Sequence, residues 1–140
     1  MTVDTQRDLA DRTFKFACAI VKFCLKLSAQ PGVGRRIAWQ LTNAGTSIAA
    51  NYEEAKAAYS RRDFMAKTSI VLKEARESRL WLRVIAANGL ARPGELDPLL
   101  KESNELVAIF TASMKTLRAA NIAKVVVISM AGVALAWYLL

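Results

Sequence analysis

The sequence predicts an all-α fold, an up-down-up-down antiparallel four-helix bundle with an apolar C-terminal helical extension. Three observations carry that reading. Apolar or small residues recur at alternating steps of three and four through four segments of roughly 25 residues, which places them on one stripe of each helix. Short stretches holding Pro and Gly separate the segments, so consecutive helices must run antiparallel to bury their stripes together. No segment alternates with period two, and a hydrophobic content of 54% with only 8% aromatics suits one helical core in a chain of 140 residues. Residues 1–120 form the expected bundle and 121–140 the extension.

In the first segment the stripe is Leu9, Thr13, Phe16, Ile20, Phe23 and Leu27, and Pro31, Gly32 and Gly34 break the helix after it. The second stripe runs Ile37, Leu41, Ala44, Ile48, Tyr52, Ala55 and Tyr59, with Gly45, Ser47, Ala49 and Ala50 small enough to admit a neighbouring helix closely. Ser60 followed by Arg61, Arg62 and Asp63 has the pattern of a capping box and starts the third helix. That helix follows a strict 4-3 alternation through Phe64, Thr68, Val71, Ala75, Ser78, Leu82 and Ile85, and Asn88-Gly89 makes a left-handed stop. The fourth begins between Pro93 and Pro98 and buries Leu96, Leu99, Ser103, Leu106, Phe110, Ser113 and Leu117.

Composition argues against an enzyme. There is no histidine, so the commonest general base and the commonest metal ligand are both missing. Glu53, Glu54, Glu74 and Glu77 offer a conceivable carboxylate cluster, yet bundle di-iron sites rely on Glu-x-x-His, and nearby arginines would lower a carboxyl pKa that acid catalysis needs raised. Ordinary helix-surface ion pairs, Glu53 or Glu54 with Lys56, Lys73 with Glu77, and Arg76 with its helix neighbours, explain the same residues. No nucleophile arrangement, phosphate loop, metal cluster or cofactor motif is present, and no small-molecule substrate is indicated. Cys18 and Cys24, six apart on one helix, point to different faces and fit a reducing cytoplasm, and the first residues lack a secretory pattern.

The charge distribution is more informative. Of 20 basic residues against 12 acidic ones, eight basic and three acidic fall between residues 60 and 92. The third helix has two unlike flanks beside its core stripe. One carries Asp63, Lys67, Ile70, Glu74, Glu77 and Trp81; the other carries Arg62, Met65, Leu72, Arg76, Arg79 and Arg83. The arginine flank suits phosphate contacts along RNA or DNA, with no base-reading motif beside it, and a solvated basic face that keeps the protein soluble is the competing account. Trp81 is either an interface anchor or an indole shielding the core edge.

The motifs TSIAANYEEA (Thr46–Ala55), SRRDFMAK (Ser60–Lys67) and LKEARESRLWL (Leu72–Leu82) resemble the small bacterial proteins named 23S rRNA-intervening-sequence proteins. The resemblance runs from about Phe14 to about Leu117 and includes KESNELVAIF in the last helix. It implies a homo-oligomeric, pentameric ring of antiparallel bundles, and relatives that act as accessory proteins of diversity-generating retroelements are similar basic, nucleic-acid-binding barrels. It places the family pattern on Asn51, Glu54, Asp63, Phe64, Lys73, Glu74, Glu77 and Trp81. In such a ring the acid-aromatic flank, with Asp63, Glu74, Glu77 and Trp81, and the basic flank would meet head to tail.

Beyond Asn121 the chain departs from that pattern. Sixteen residues from Val125 to Leu140 carry no charge and would span about 24 Å as a helix against a hydrocarbon core of about 30 Å. Lys115, Arg118 and Lys124 precede them, Trp137 and Tyr138 suit an interface, and Gly132 with Ala136 forms a small-xxx-small step. Residues 122–140 therefore read as a membrane tether with the bundle on the cytoplasmic side; an oligomer seam or a β-rich tail are the other readings. The function expected is a non-catalytic, oligomeric nucleic-acid-binding accessory, the alternative a membrane-tethered scaffold without a nucleic-acid role.

Overall fold

The computed structural model describes the backbone of residues 3–138 and the side chains of residues 8–123. Four helices follow in order: α1 (Val3–Ser28), α2 (Val33–Lys56), α3 (Arg61–Ala87) and α4 (Asp97–Tyr138). Among the described residues there is no strand. Each helix packs against its chain neighbour, and α1 closes against α4 across the most open of the four seams. This is the up-down-up-down bundle expected from stripes joined by short loops.

The core is made by the stripes. Leu9, Phe16, Ile20, Phe23 and Leu27 of α1 meet Ile37, Leu41, Ile48 and Tyr52 of α2, Val71, Leu72, Ala75, Leu82 and Ile85 of α3, and Leu96, Leu99, Leu106 and Phe110 of α4. Tyr52 sets its ring edge-on to Phe110, with centroids 5.6 Å apart and planes at 65°. Small residues mark the tight places. A Cβ on Gly45 would lie 2.8 Å from Cγ2 of Ile20, so the close α1–α2 crossing requires glycine there despite its cost inside a helix. Tyr59 is the exception to the α2 stripe: the helix ends at Lys56 and Tyr59 stands fully exposed in the turn.

The ends of α3 follow local chemistry. Ser60 is extended, and its hydroxyl accepts from the Asp63 amide at 3.1 Å. The reciprocal contact of a capping box lands one residue early, with the Tyr59 amide donating to Asp63 Oδ2 at 3.4 Å. At the far end the Leu90 amide donates to the Ile85 carbonyl and the Gly89 amide to that of Ala86, a Schellman pair that Gly89 permits at φ +62°. Helix α4 starts one residue before Pro98, as the proline signal predicts.

At 42 residues, α4 outruns the longest of its neighbours, which has 27. Among the described residues no helix is long and apolar enough to cross a membrane. The tether expected over 122–140 lies, apart from Ile122 and Ala123, outside the residues whose side chains are described.

Candidate nucleic-acid interface on the third helix

Helix α3 presents both flanks seen in its sequence, and they differ in how far their charges are already satisfied. On the acid-aromatic side, Lys67 reaches across to α2 and its Nζ lies 2.7 Å from Glu54 Oε2, which raises the lysine pKa. Trp81 is half-buried against the core and donates from Nε1 to Glu77 Oε1 at 3.3 Å. Glu74 is also half-buried; burial first and the neighbouring Glu77 second raise its pKa, while Lys73, 4.0 Å away, pulls it down. Asn51 on α2 donates to the Ser47 carbonyl at 2.8 Å, a bond internal to its helix.

The basic side is different. Arg62, Arg76 and Arg83 are exposed and Arg79 is half-buried. None of the four pairs with a described carboxylate, although six other basic side chains do so, including Lys15 with Asp11 and Lys56 with Glu53. Arg76, Arg79 and Arg83 lie within two turns, a run of about 10 Å, and Arg62 sits about 21 Å further along. The pairing of Arg76 with helix neighbours expected from sequence is therefore not made with any described residue. Lys73 meets Glu74 rather than Glu77.

Phe64 belongs to neither flank. It lines an apolar cavity of about 320 Å³ with Tyr52, Thr68, Phe110, Ser113 and Leu117, and no charged side chain enters it. The Tyr52 and Thr68 hydroxyls are buried without a hydrogen-bond partner, as is that of Ser78. Burial and the charge of Glu53 push the Tyr52 phenol up to about 12, so it stays neutral. Among the described residues no cluster of His, Cys, Asp and Glu could hold a metal ion.

One polar cluster escaped sequence reasoning. Arg12 on α1 donates from Nε to Glu102 at 2.6 Å and from Nη2 to Glu102 and Glu105, tying α1 to α4 and raising the arginine pKa. The i, i+3 spacing of Glu102 and Glu105 was visible; their partner depended on how the two helices align.

Four antiparallel helices packed on one shared core define the class of small all-α four-helix-bundle proteins. The model of the 23S rRNA-intervening sequence protein family matches residues 6–112, and the chain belongs to that family. A crystal structure of a protein of unknown function from the S23 ribosomal protein family of Bacteroides thetaiotaomicron is similar, with 30% identity and a TM-score of 0.69. The match covers 76% of this chain and 97% of that one. No curated protein matches the chain. The family match stops before the apolar extension, where the sequence departed from the pattern.

Proposed function

We propose that the protein is a non-catalytic, homo-oligomeric accessory or scaffold protein of the cytoplasm that binds the phosphate backbone of RNA or DNA through the α3 arginine flank. The observation that carries this reading is the run of Arg76, Arg79 and Arg83 without described carboxylate partners, on a chain with a net charge of +8. Guanidinium groups spaced along one helix flank match successive phosphates and read no bases, so the binding is sequence-tolerant. Arg62 reaches a separate phosphate. The acid-aromatic flank, with Asp63, Glu74, Glu77 and Trp81, meets the next protomer of the pentameric ring that the family resemblance implies, on a surface other than the arginine flank, which stays open to phosphate.

The test is an electrophoretic titration of the full chain against single- and double-stranded RNA and DNA over a salt series. Affinity is expected to fall linearly with the logarithm of salt concentration. The triple variant Arg76→Ala, Arg79→Ala, Arg83→Ala should flatten that slope by about 2 to 3, one unit or slightly less per lost phosphate contact. Equal affinity and slope for variant and parent would reject the arginine flank. Reversing Glu74 and Glu77 to Lys should lower the mass seen by light scattering, and an unchanged mass would move the ring contact elsewhere.

A second reading is supported by α4 continuing as helix to Tyr138, which favours a helical over a β-rich extension. There the chain is a scaffold tethered at the membrane face, and the arginines meet anionic lipid. Sedimentation with vesicles containing anionic lipid separates the two readings.

A further inference from the structure

The cavity beside Phe64, about 320 Å³, lies where α2, α3 and α4 converge near the start of α3. Tyr52, Thr68 and Phe110 are its buried floor. Phe64 and Ser113 are half-buried and Thr116 is exposed, so the mouth opens between α3 and α4. Three aromatic rings, those of Tyr52, Phe64 and Phe110, and no charged group surround the space.

Two hydroxyls of that floor are left over. A threonine inside a helix ordinarily turns its hydroxyl back to a carbonyl of the preceding turn, and Thr13, Thr42, Thr46 and Thr116 all do so. Thr68 does not: its Oγ1 is closed to solvent and has no partner, and the Tyr52 Oη is in the same state. The two residues come from different helices and meet at one cavity. A buried hydroxyl left unpaired is unfavourable where phenylalanine or valine of the same shape would not be, so the packing of the core alone does not account for the pair. Ser78, the third such hydroxyl, sits ten residues further along α3, about 15 Å away.

We propose that this cavity is a binding site for a small neutral aromatic molecule bearing one hydroxyl, its ring held among Tyr52, Phe64 and Phe110 and its oxygen paired with the Tyr52 and Thr68 hydroxyls. Size sets the class: a void of about 150 Å³ takes benzene, so twice that volume takes roughly a dozen non-hydrogen atoms, one ring with a short substituent. A ligand hydroxyl both donates and accepts, and so completes both protein groups at once. Charge is disfavoured, because the lining has no cation to hold a carboxylate and no carboxylate to hold an amine. Both oxygens are closed to solvent, so the polar end reaches them by edging aside the half-buried Phe64 ring. The ligand is held rather than transformed, since no base accompanies the hydroxyls of the lining. The site shares no residue with the α3 arginine flank and stands apart from the nucleic-acid reading.

The probe is 4-propylphenol, titrated into the full chain with its threonine methyl groups labelled for NMR. The Thr68 and Thr116 methyl resonances should shift and saturate, with a Kd on the order of 0.1 mM for a ligand of about ten non-hydrogen atoms. The Thr46 methyl, on the α1–α2 side, should stay in place, which separates the cavity from adsorption on the apolar extension. Propylbenzene, the same ring without the hydroxyl, should bind roughly 10-fold more weakly. Tyr52→Phe with Thr68→Val, read at Thr116, should erase that preference, and Ser78→Ala should preserve it. Ser113→Leu, which fills the mouth, should abolish the shifts. Absence of a saturable shift at Thr68 and Thr116 in the parent overturns the proposal. Equal affinity for the two probes overturns it too, as does a preference that survives the double variant. Ser113→Leu alters one half-buried position, so undiminished binding there rejects the cavity even if the double variant fails to fold.

Discussion

Gly45 shows how one missing carbon sets the approach of two helices. Alanine is the better helix former by about 1 kcal/mol, yet its Cβ would meet three atoms of Ile20 within 3.2 Å. Overpacking wins at that distance, so Gly45→Ala should lower the unfolding free energy by about 1–2 kcal/mol in urea titration. A stabilised variant would show that α1 and α2 can separate at no cost. Glu74 gives a prediction in pH. Its pKa is raised in the folded state, chiefly by burial, so the folded chain holds that proton more tightly than the unfolded chain. The sign follows: the favourable contribution is present in acid and is lost as pH rises through the folded value, above the ordinary 4.5. Glu74→Gln should therefore be more stable than the parent at pH 7, with the gap closing on acidification in thermal melts. Residues of this kind were only partly readable from sequence. Gly45 was flagged as small, but its contact with Ile20 depends on a register between helices that no local pattern encodes.

At the scale of an element, α3 was the most readable, because both its signals are local. The Ser60 cap and the Gly89 stop act within one turn, and the 4-3 stripe from Thr68 to Ile85 is buried at every position. Ser60→Ala removes the acceptor for the Asp63 amide and should cost about 1 kcal/mol, seen as a lower thermal midpoint and faster amide exchange in the first turn of α3. The seam between α1 and α4 was not readable. Arg12 lies off the α1 stripe and reads as a solvated residue, but Glu102 and Glu105 converge on it from 90 and 93 positions away. With a third of its side chain exposed, the cluster is screened by solvent and is worth about 1 kcal/mol. Arg12→Ala should loosen α1 before the rest of the bundle. Uniform exchange across all four helices in that variant would contradict an open seam held by this one residue.

For the whole molecule, the sequence carried the architecture because four stripes and three short loops admit one compact arrangement, whereas it carried function only as a contrast of surfaces. The unpaired arginines of α3 were visible as a flank; Phe14, Val21 and Leu25 already lay off the α1 stripe in the sequence, but their exposure on the outside of the bundle went unread. The extension poses the remaining question at this scale. The last fully buried side chain described on α4 is Met114, with Leu117 packed against the core beyond it, and Asn121 and Ile122 are already exposed. Removing residues 122–140 therefore takes away no core contact among the described residues, and the shortened chain should melt cooperatively within a few degrees of the full one, since a shift of about 1 kcal/mol would move a domain this size by about 4 °C. Its salt-dependent affinity for RNA or DNA should be unchanged if the arginines of α3 carry the binding. Its sedimentation with anionic vesicles should drop sharply at about 0.1 M salt if the extension supplies the apolar half of a lipid contact, because a basic face alone is screened within about 10 Å there. Retained nucleic-acid affinity together with lost vesicle binding would assign the two halves of the chain separate tasks. Loss of both would mean that the extension organises the oligomer on which the arginine flank depends.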